Sequence, residues 1–236
     1  MPSLAEVRPR QYNKIKMNRK IIFAPNNFYH IFSRGTEKRD IFLCDKDYER
    51  FIILLYLCNS KNPVSVRDHF RRGRTSAEIL QTDRGKTLVD LGAYCLMPNH
   101  FHLLLREKID NGITLFMKKL NTAYAMYFNV KNERDGNLFQ GKFGAHHLDD
   151  NNYLKYIFAY IHLNPIKLIE PNWKEKGIKN FDRAKSFLES YFWSSYRNYI
   201  TKGSNPILNM VEFPEYFESS REFKDFIDFW LNFQEK

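Results

Sequence analysis

Two histidines, His100 and His102, stand one residue apart in the stretch MPNHFHLLL, residues 97–105. Side chains alternate across a strand, so His100, His102, Leu104 and Arg106 share one face, while Phe101, Leu103 and Leu105 share the other, apolar one. The two imidazoles are then roughly 6 to 7 Å apart at Cα, close enough to hold one metal ion. Taken alone, such a pair fits a hydrogen-bonded structural role beside a hairpin better than a metal site, because two nitrogens do not complete one. The other candidates lie in NNYLKYIFAYIHLNP, residues 151–165. Tyr160 and Asn164 are four apart and share a helix face. An asparagine carbonyl is a hard oxygen ligand, and a tyrosine hydroxyl can attack phosphorus. Tyr153 and Tyr156 fall on roughly the same face, so spacing leaves open which tyrosine is reactive. The same stripe would equally pack the helix on a sheet.

The elements that must position these groups are legible from period and punctuation. NFYHIFSRG (27–35) alternates and ends at glycine, which predicts a strand. DKDYERFIILLYLCN (45–59) predicts a helix with Asp45 as N-cap and Phe51, Leu54, Leu55 and Cys58 on one face. Residues 60–87 turn polar and basic and read as an inserted loop with room for a short helix. TLVDLGAYCLM and HFHLLLRE flank Pro98 and Asn99, a hairpin signal. Residues 111–131 place Ile113, Phe116, Met117, Leu120, Tyr124 and Tyr127 at helical spacing. NLFQGKFGAHHL (137–148) reads as a fourth strand or an ordered loop, and 149–164 as a helix stopped by Pro165. The order βαββαβ plus a further helix predicts an α+β, ferredoxin-like sandwich with one open sheet face. Residues 1–26 form a basic arm, 27–165 the core with its insertion at 60–87, and 166–236 a helical extension. In the extension, Phe223, Phe226, Trp230 and Phe233 form a docking stripe.

The composition restricts the partner. The 236 residues carry a net charge of +10, an excess that favours a polyanion such as nucleic acid or an acidic membrane surface. Aromatics make up 16% of the chain, more than a core alone needs, and stacking on bases is one use for the surplus. The three cysteines, Cys44, Cys58 and Cys95, form no CxxC pair, which argues against a disulfide framework or a zinc knuckle. No apolar stretch approaches the roughly 20 residues that span a bilayer, and no signal-peptide core opens the chain. The cytoplasm is the expected compartment.

YHIFSRG, YCLMPNHFHLLL, LFQGKF and YIHLNP, in that order and followed by WSSYRNY, closely resemble the REP-associated tyrosine transposases of the HUH single-tyrosine superfamily. The resemblance spans about residues 27–200, and five ordered motifs carry far more weight than a lone His-Phe-His. It implies a catalytic domain that cuts and rejoins single-stranded DNA with a divalent metal, Mg²⁺ or Mn²⁺. His100, His102 and Asn164 are then its ligands and Tyr160 the nucleophile. Imidazole ligation by itself would suggest zinc, copper or nickel. The 60–87 insertion is longer than the family's compact core leads one to expect, and the N-terminal arm has no firm counterpart there.

The implied reaction forms a 5′-phosphotyrosine and frees a 3′-hydroxyl, with hairpin-containing DNA as substrate and a monomer favoured over a homodimer. Candidate phosphate contacts are Arg34, Lys142, the basic residues of the arm and the RRGR run at 71–74, with Arg71 and Arg72 foremost in that run. A tyrosine with a pKa near 10 needs help to lose its proton. His146, His147, Asp149 and Asp150, just before the catalytic helix, are the nearby groups, although a solvated turn explains them as well. Two competing readings are a non-cleaving hairpin DNA binder and an RNA-binding module of the same topology. The latter expects aromatics rather than histidines on the open face. A water-using metal hydrolase is a third, and it would leave no covalent adduct.

Overall fold

The computed structural model describes residues 21–63, 65–71, 73–201, 203, 205–213 and 219–232. Most of the expected basic arm, residues 1–20, lies outside them, as do Arg72 and Phe233. Where the arm becomes described, its end packs on the core: the Phe23 ring sits 4.9 Å from that of Tyr29.

Strand β1 (Phe28–Arg34) leads into helix α1 (Asp45–Leu57), and β2 (Val89–Met97) and β3 (His100–Glu107) form the hairpin around Pro98 and Asn99. Helix α4 (Gly112–Lys131), strand β4 (Gly144–Leu148) and helix α5 (Asn151–Leu163) complete the core. The four strands lie in the order β2-β3-β1-β4, every neighbour antiparallel, which is the ferredoxin-like arrangement. Among the described residues no helix is long and apolar enough to cross a membrane.

Local chemistry explains the element ends. Helix α1 starts one residue earlier than expected: Cys44, not Asp45, is the N-cap, and Asp47 at the third position accepts the backbone N–H of Leu43 and Cys44. At the head of α4, Asn111 takes a left-handed φ of 59°, and the buried Glu107 carboxylate accepts the N–H groups of Gly112 and Ile113 at 3.0 and 2.7 Å. The 60–87 insertion holds two short helices, α2 (Val66–Arg71) and α3 (Ser76–Leu80), and α3 buries Ile79 completely. Strand structure in 137–148 is confined to β4; ahead of it Gln140 N–H donates to Arg34 O, so Leu138 to Gln140 run as an ordered loop. Pro165 ends α5 without ending the coil, because its missing N–H is tolerated at the start of the 3₁₀ turn Asn164–Leu168.

The sheet buries different residues on its two faces. Tyr29, Ile31, Phe101, Leu103 and Leu105 pack beneath α1 and α4, together with Phe51, Leu54, Phe116 and Tyr124. On the other face, which the basic fold leaves open, α5 and the C-terminal extension form a second core from Ala93, Cys95, Leu104, Ile157, Phe158 and Ile161. The extension comprises α6 (Trp173–Lys176), α7 (Phe181–Ser190), α8 (Tyr196–Thr201) and α9 (Ser220–Asn232). Phe223, Phe226 and Trp230 of the expected stripe point into that core. The extension also protects a sheet edge: Leu96 N–H donates to Trp193 O and Ser195 N–H to Tyr94 O, both at 2.9 Å, pairing residues 193–195 with β2.

Candidate functional site

The site lies where α5 crosses the second face of the sheet. Alternation puts Phe28, His30, Phe32 and Arg34 of β1 on this face, and the register sets Phe32 opposite His102, Arg34 opposite His100 and His30 opposite His146. His30 is diagonal to His102, and their rings meet: His30 Nε2 and His102 Nδ1 are 2.9 Å apart, with planes inclined by 27°. The His100 ring stands 5.0 Å from that of His102, nearly perpendicular to it. Opposite Phe32, only glycine fits at position 144, because a Cβ there would fall 2.3 Å from the Phe32 ring. Phe32 in turn packs on His146 at 5.2 Å and on His102 at 6.1 Å.

Helix α5 brings Tyr160 down onto these rings, 5.3 Å from His102 and 5.8 Å from His30, edge-on to both. The three tyrosines that spacing left equivalent are thereby separated. Tyr153 is buried in the second core and Tyr156 packs on Trp230, whereas Tyr160 meets the histidines. Asn164 is 1% exposed; its amide Nδ2 donates to Tyr160 O at 2.8 Å, which turns Oδ1 the other way. That oxygen accepts from Lys167 Nζ at 3.2 Å. Lys174 Nζ lies 4.3 Å from the centre of the Tyr160 ring and Lys167 Nζ 5.4 Å. A groove lined by Tyr156, Tyr160, Leu163, Trp173, Lys174 and Trp230 opens beside the ring, so the extension supplies part of the wall.

Burial sets the ionisation of the cluster. It pulls His30 down to about 3, aided by the His146 charge, and His100 to about 4, aided by Lys167 and Arg34. Burial also holds His102 well below the usual histidine value, with His30, His100 and the two lysines adding to the effect. All three rings are therefore neutral at neutral pH, the state in which imidazole binds metal. The Tyr160 hydroxyl is pushed up by burial, which the neighbouring Asn164 side chain opposes, and burial lowers the Lys167 amine.

The donor set fits a cation. His102 Nε2 is buried and has no hydrogen-bond partner among the described residues, an orphan that a ligation bond would satisfy. Among the described residues no group of three or more His, Cys, Asp or Glu is arranged to hold a metal.

The other candidates fall as follows. Arg34 is exposed at the end of β1, beside His100, and Lys142 is exposed ahead of β4. Arg71 closes α2 in the insertion, and Arg72 is outside the described residues. His146 faces the site, whereas His147 turns to the opposite face and packs on Tyr29. Asp150 caps α5 by accepting Tyr153 N–H at 2.7 Å. Sequence reasoning missed His30, Lys167 and Lys174. Alternation in YHIFSRG could have put His30 on the site face, but only the strand order brings it to His102.

Residues 54–164 match the family described as Transposase IS200 like, and this match bears out the resemblance read from the motifs. The matched span opens inside α1 and closes on Asn164, so it contains His100, His102 and Tyr160 but not His30. A solved structure described as the REP-associated tyrosine transposase bound to a REP hairpin aligns with 13% identity and a TM-score of 0.44, covering 83% of this chain and 94% of that one. No curated protein matches the chain.

Proposed function

We propose that the whole chain is an IS200-like transposase, a metal-dependent single-stranded DNA endonuclease and strand transferase that cleaves hairpin-containing DNA through a 5′-phosphotyrosine at Tyr160. The observation that carries this reading is the meeting of Tyr160 with the His30 and His102 rings, with His100 packed on His102 and Asn164 one turn away, its amide oxygen turned toward Lys167 Nζ. His100, His102 and Asn164 would hold the divalent cation, Mg²⁺ or Mn²⁺. When bound, it supplies Lewis-acid activation and alignment of one phosphate.

The protein's own groups do the rest. Tyr160 Oη attacks phosphorus; the Oη–P bond forms, the P–O3′ bond breaks, and the departing 3′-oxygen gains a proton. Because burial keeps the Tyr160 hydroxyl protonated at neutral pH, loss of its proton needs positive charge nearby, and Lys167 and Lys174 both lie over its ring. Lys167, now on Asn164 Oδ1, would move to a phosphate oxygen once that carbonyl is engaged. The released 3′-hydroxyl can attack the phosphotyrosine in turn. The phosphodiester energy is kept in the covalent bond, so rejoining needs no nucleotide triphosphate.

Incubation of labelled hairpin DNA with the protein and Mg²⁺ or Mn²⁺, resolved on a denaturing gel, tests this. A protein-linked band is expected for the wild type and none for Tyr160→Phe. Binding without an adduct under either metal would replace the reading with that of a non-cleaving hairpin binder, and cleavage without an adduct with that of a water-using hydrolase.

A further inference from the structure

We propose that Asn99 and His30 are positioning residues that fix the tautomers of His100 and His102, each engaging a ring Nδ1–H so that both Nε2 lone pairs remain free for the cation. This rests on the reading of the site as a metal-dependent nuclease, and it assigns two residues that the His-Phe-His motif does not include.

For His100 the assignment follows from hydrogen-bond bookkeeping. His100 Nδ1 is 2.6 Å from Asn99 Oδ1, and Asn99 Nδ2 donates to Lys38 O at 3.1 Å. A backbone carbonyl only accepts, so the amide cannot be turned over without setting two oxygens against each other. Asn99 Oδ1 therefore faces His100 and can only accept, which puts the proton on Nδ1 and leaves Nε2 bare. The carbonyl that fixes Asn99 is itself held in an unusual backbone: Glu37 and Lys38 take left-handed φ values of 57° and 62°. Gly35 N–H donates to Asn99 O at 2.9 Å, and Ile41 and Phe42 both donate to Pro98 O, so the hairpin turn is tied to this loop from several directions.

For His102 the partner is another imidazole, and one proton lies between the two rings. If His30 donated, His102 would carry its proton on Nε2, a buried N–H with no acceptor among the described residues and no lone pair for a ligand. If His102 donates from Nδ1, its Nε2 is bare and the outer proton sits on His30 Nδ1 instead. Each arrangement leaves one buried N–H unpaired, so surrounding charge decides. Besides His30 and His100, Lys167 and Lys174 act on His102, their Nζ atoms 5.4 and 4.3 Å from the centre of the Tyr160 ring that packs edge-on against His102 at 5.3 Å, whereas the group acting on His30 is His146. Positive charge favours the lone-pair end of His102 and puts the outer proton on His30, away from the lysines. A cation at His102 Nε2 reinforces the same choice. His30 thus takes the place that a carboxylate or carbonyl takes behind most metal-binding histidines.

The test reads the proton positions directly. In metal-free protein with ¹⁵N-labelled histidine, long-range ¹H–¹⁵N correlation spectra should show His100 and His102 as Nδ1–H tautomers with bare Nε2. Titration with Mn²⁺ should then show His30→Leu and Asn99→Ala weakened about 10- to 100-fold. His30→Gln, which keeps an acceptor oxygen, should stay within a few-fold of wild type. An Nε2–H tautomer at either histidine, or wild-type Mn²⁺ affinity in folded His30→Leu, overturns the proposal. If the leucine variant does not fold, the wild-type spectrum and the His30→Gln affinity decide. The outcome is separable from that of the functional reading: correct tautomers without DNA cleavage overturn the nuclease alone, and cleavage with unaffected His30→Leu overturns the positioning role alone.

Discussion

Acidification should loosen the helix that carries Tyr160, and His162 is the group responsible. It lies two residues from both Tyr160 and Asn164, is 0% exposed, donates Nδ1–H to Phe158 O at 2.9 Å and accepts at Nε2 from Ser195 Oγ at 2.8 Å. Burial lowers its pKa from 6.5 to about 3. Between those values the unfolded chain holds a proton that the folded chain does not. Stability is therefore full above pH 6.5 and falls with acid, at about 1.4 kcal/mol per pH unit. From pH 7 to pH 5 the loss integrates to about 2 kcal/mol for this one residue. His162→Gln keeps a donor and an acceptor but cannot titrate. Urea unfolding at the two pH values should show the wild type losing about 2 kcal/mol more than the variant. His30, also pulled to about 3, is common to both proteins and cancels in the difference. Equal losses in the two proteins would refute the reasoning, whatever the variant's absolute stability.

Two further outcomes are expected. Lys174→Ala removes an amine 4.3 Å from the Tyr160 ring, so hairpin DNA binding followed by fluorescence anisotropy should weaken, and the slope of log K against log salt should fall by about 0.7, the share of one single-strand phosphate contact. Glu107→Ala leaves the buried N–H of Ile113 without its acceptor and Gly112 N–H with Ile109 O alone, and the urea midpoint should report a loss of about 1 to 2 kcal/mol.

The core strands were legible because each has one face that must be buried: Tyr29 and Ile31 in β1, and Phe101, Leu103 and Leu105 in β3, follow a strict period of two. Strand β2 is buried along its whole length, so it reads as a continuous apolar run. The N-cap of α1 was misread by one residue because Asp45 is a favoured capping type and Cys44 is not; only the bonds from Leu43 and Cys44 N–H to Asp47, at the third helical position, fix the start at Cys44. His100, His102, Tyr160 and Asn164 were recoverable as candidates from local spacing. His30 was not, because its meeting with His102 depends on β3 lying beside β1, a pairing between residues 72 apart in sequence. Lys167 and Lys174 lie beyond the proline expected to stop the helix; a 3₁₀ turn that carries the coil through it returns Lys167 to Tyr160, and α6 returns Lys174.

The extension bears on the chemistry through the geometry of α5. At 100° per residue, Phe158 and His162 share one face of the helix, and Tyr160 and Asn164 share the roughly opposite one. The first face is where the extension presses: Phe158 and His162 lie 4.8 and 5.3 Å from the Tyr199 ring, and His162 lies 5.5 Å from Phe223. Ser195, which donates to His162, is hydrogen-bonded through both its backbone and its side chain to Tyr94 of β2, so the same short segment grips the helix and the edge of the sheet. The distance from Tyr160 to the histidines on β1 and β3 is therefore set by packing behind the helix as well as by contacts in front of it. A helix held only by the open face of the sheet would be free to tilt with respect to those rings. Clamped between sheet and extension, it keeps the tyrosine in register with the atoms that would hold the phosphate, which in-line attack requires.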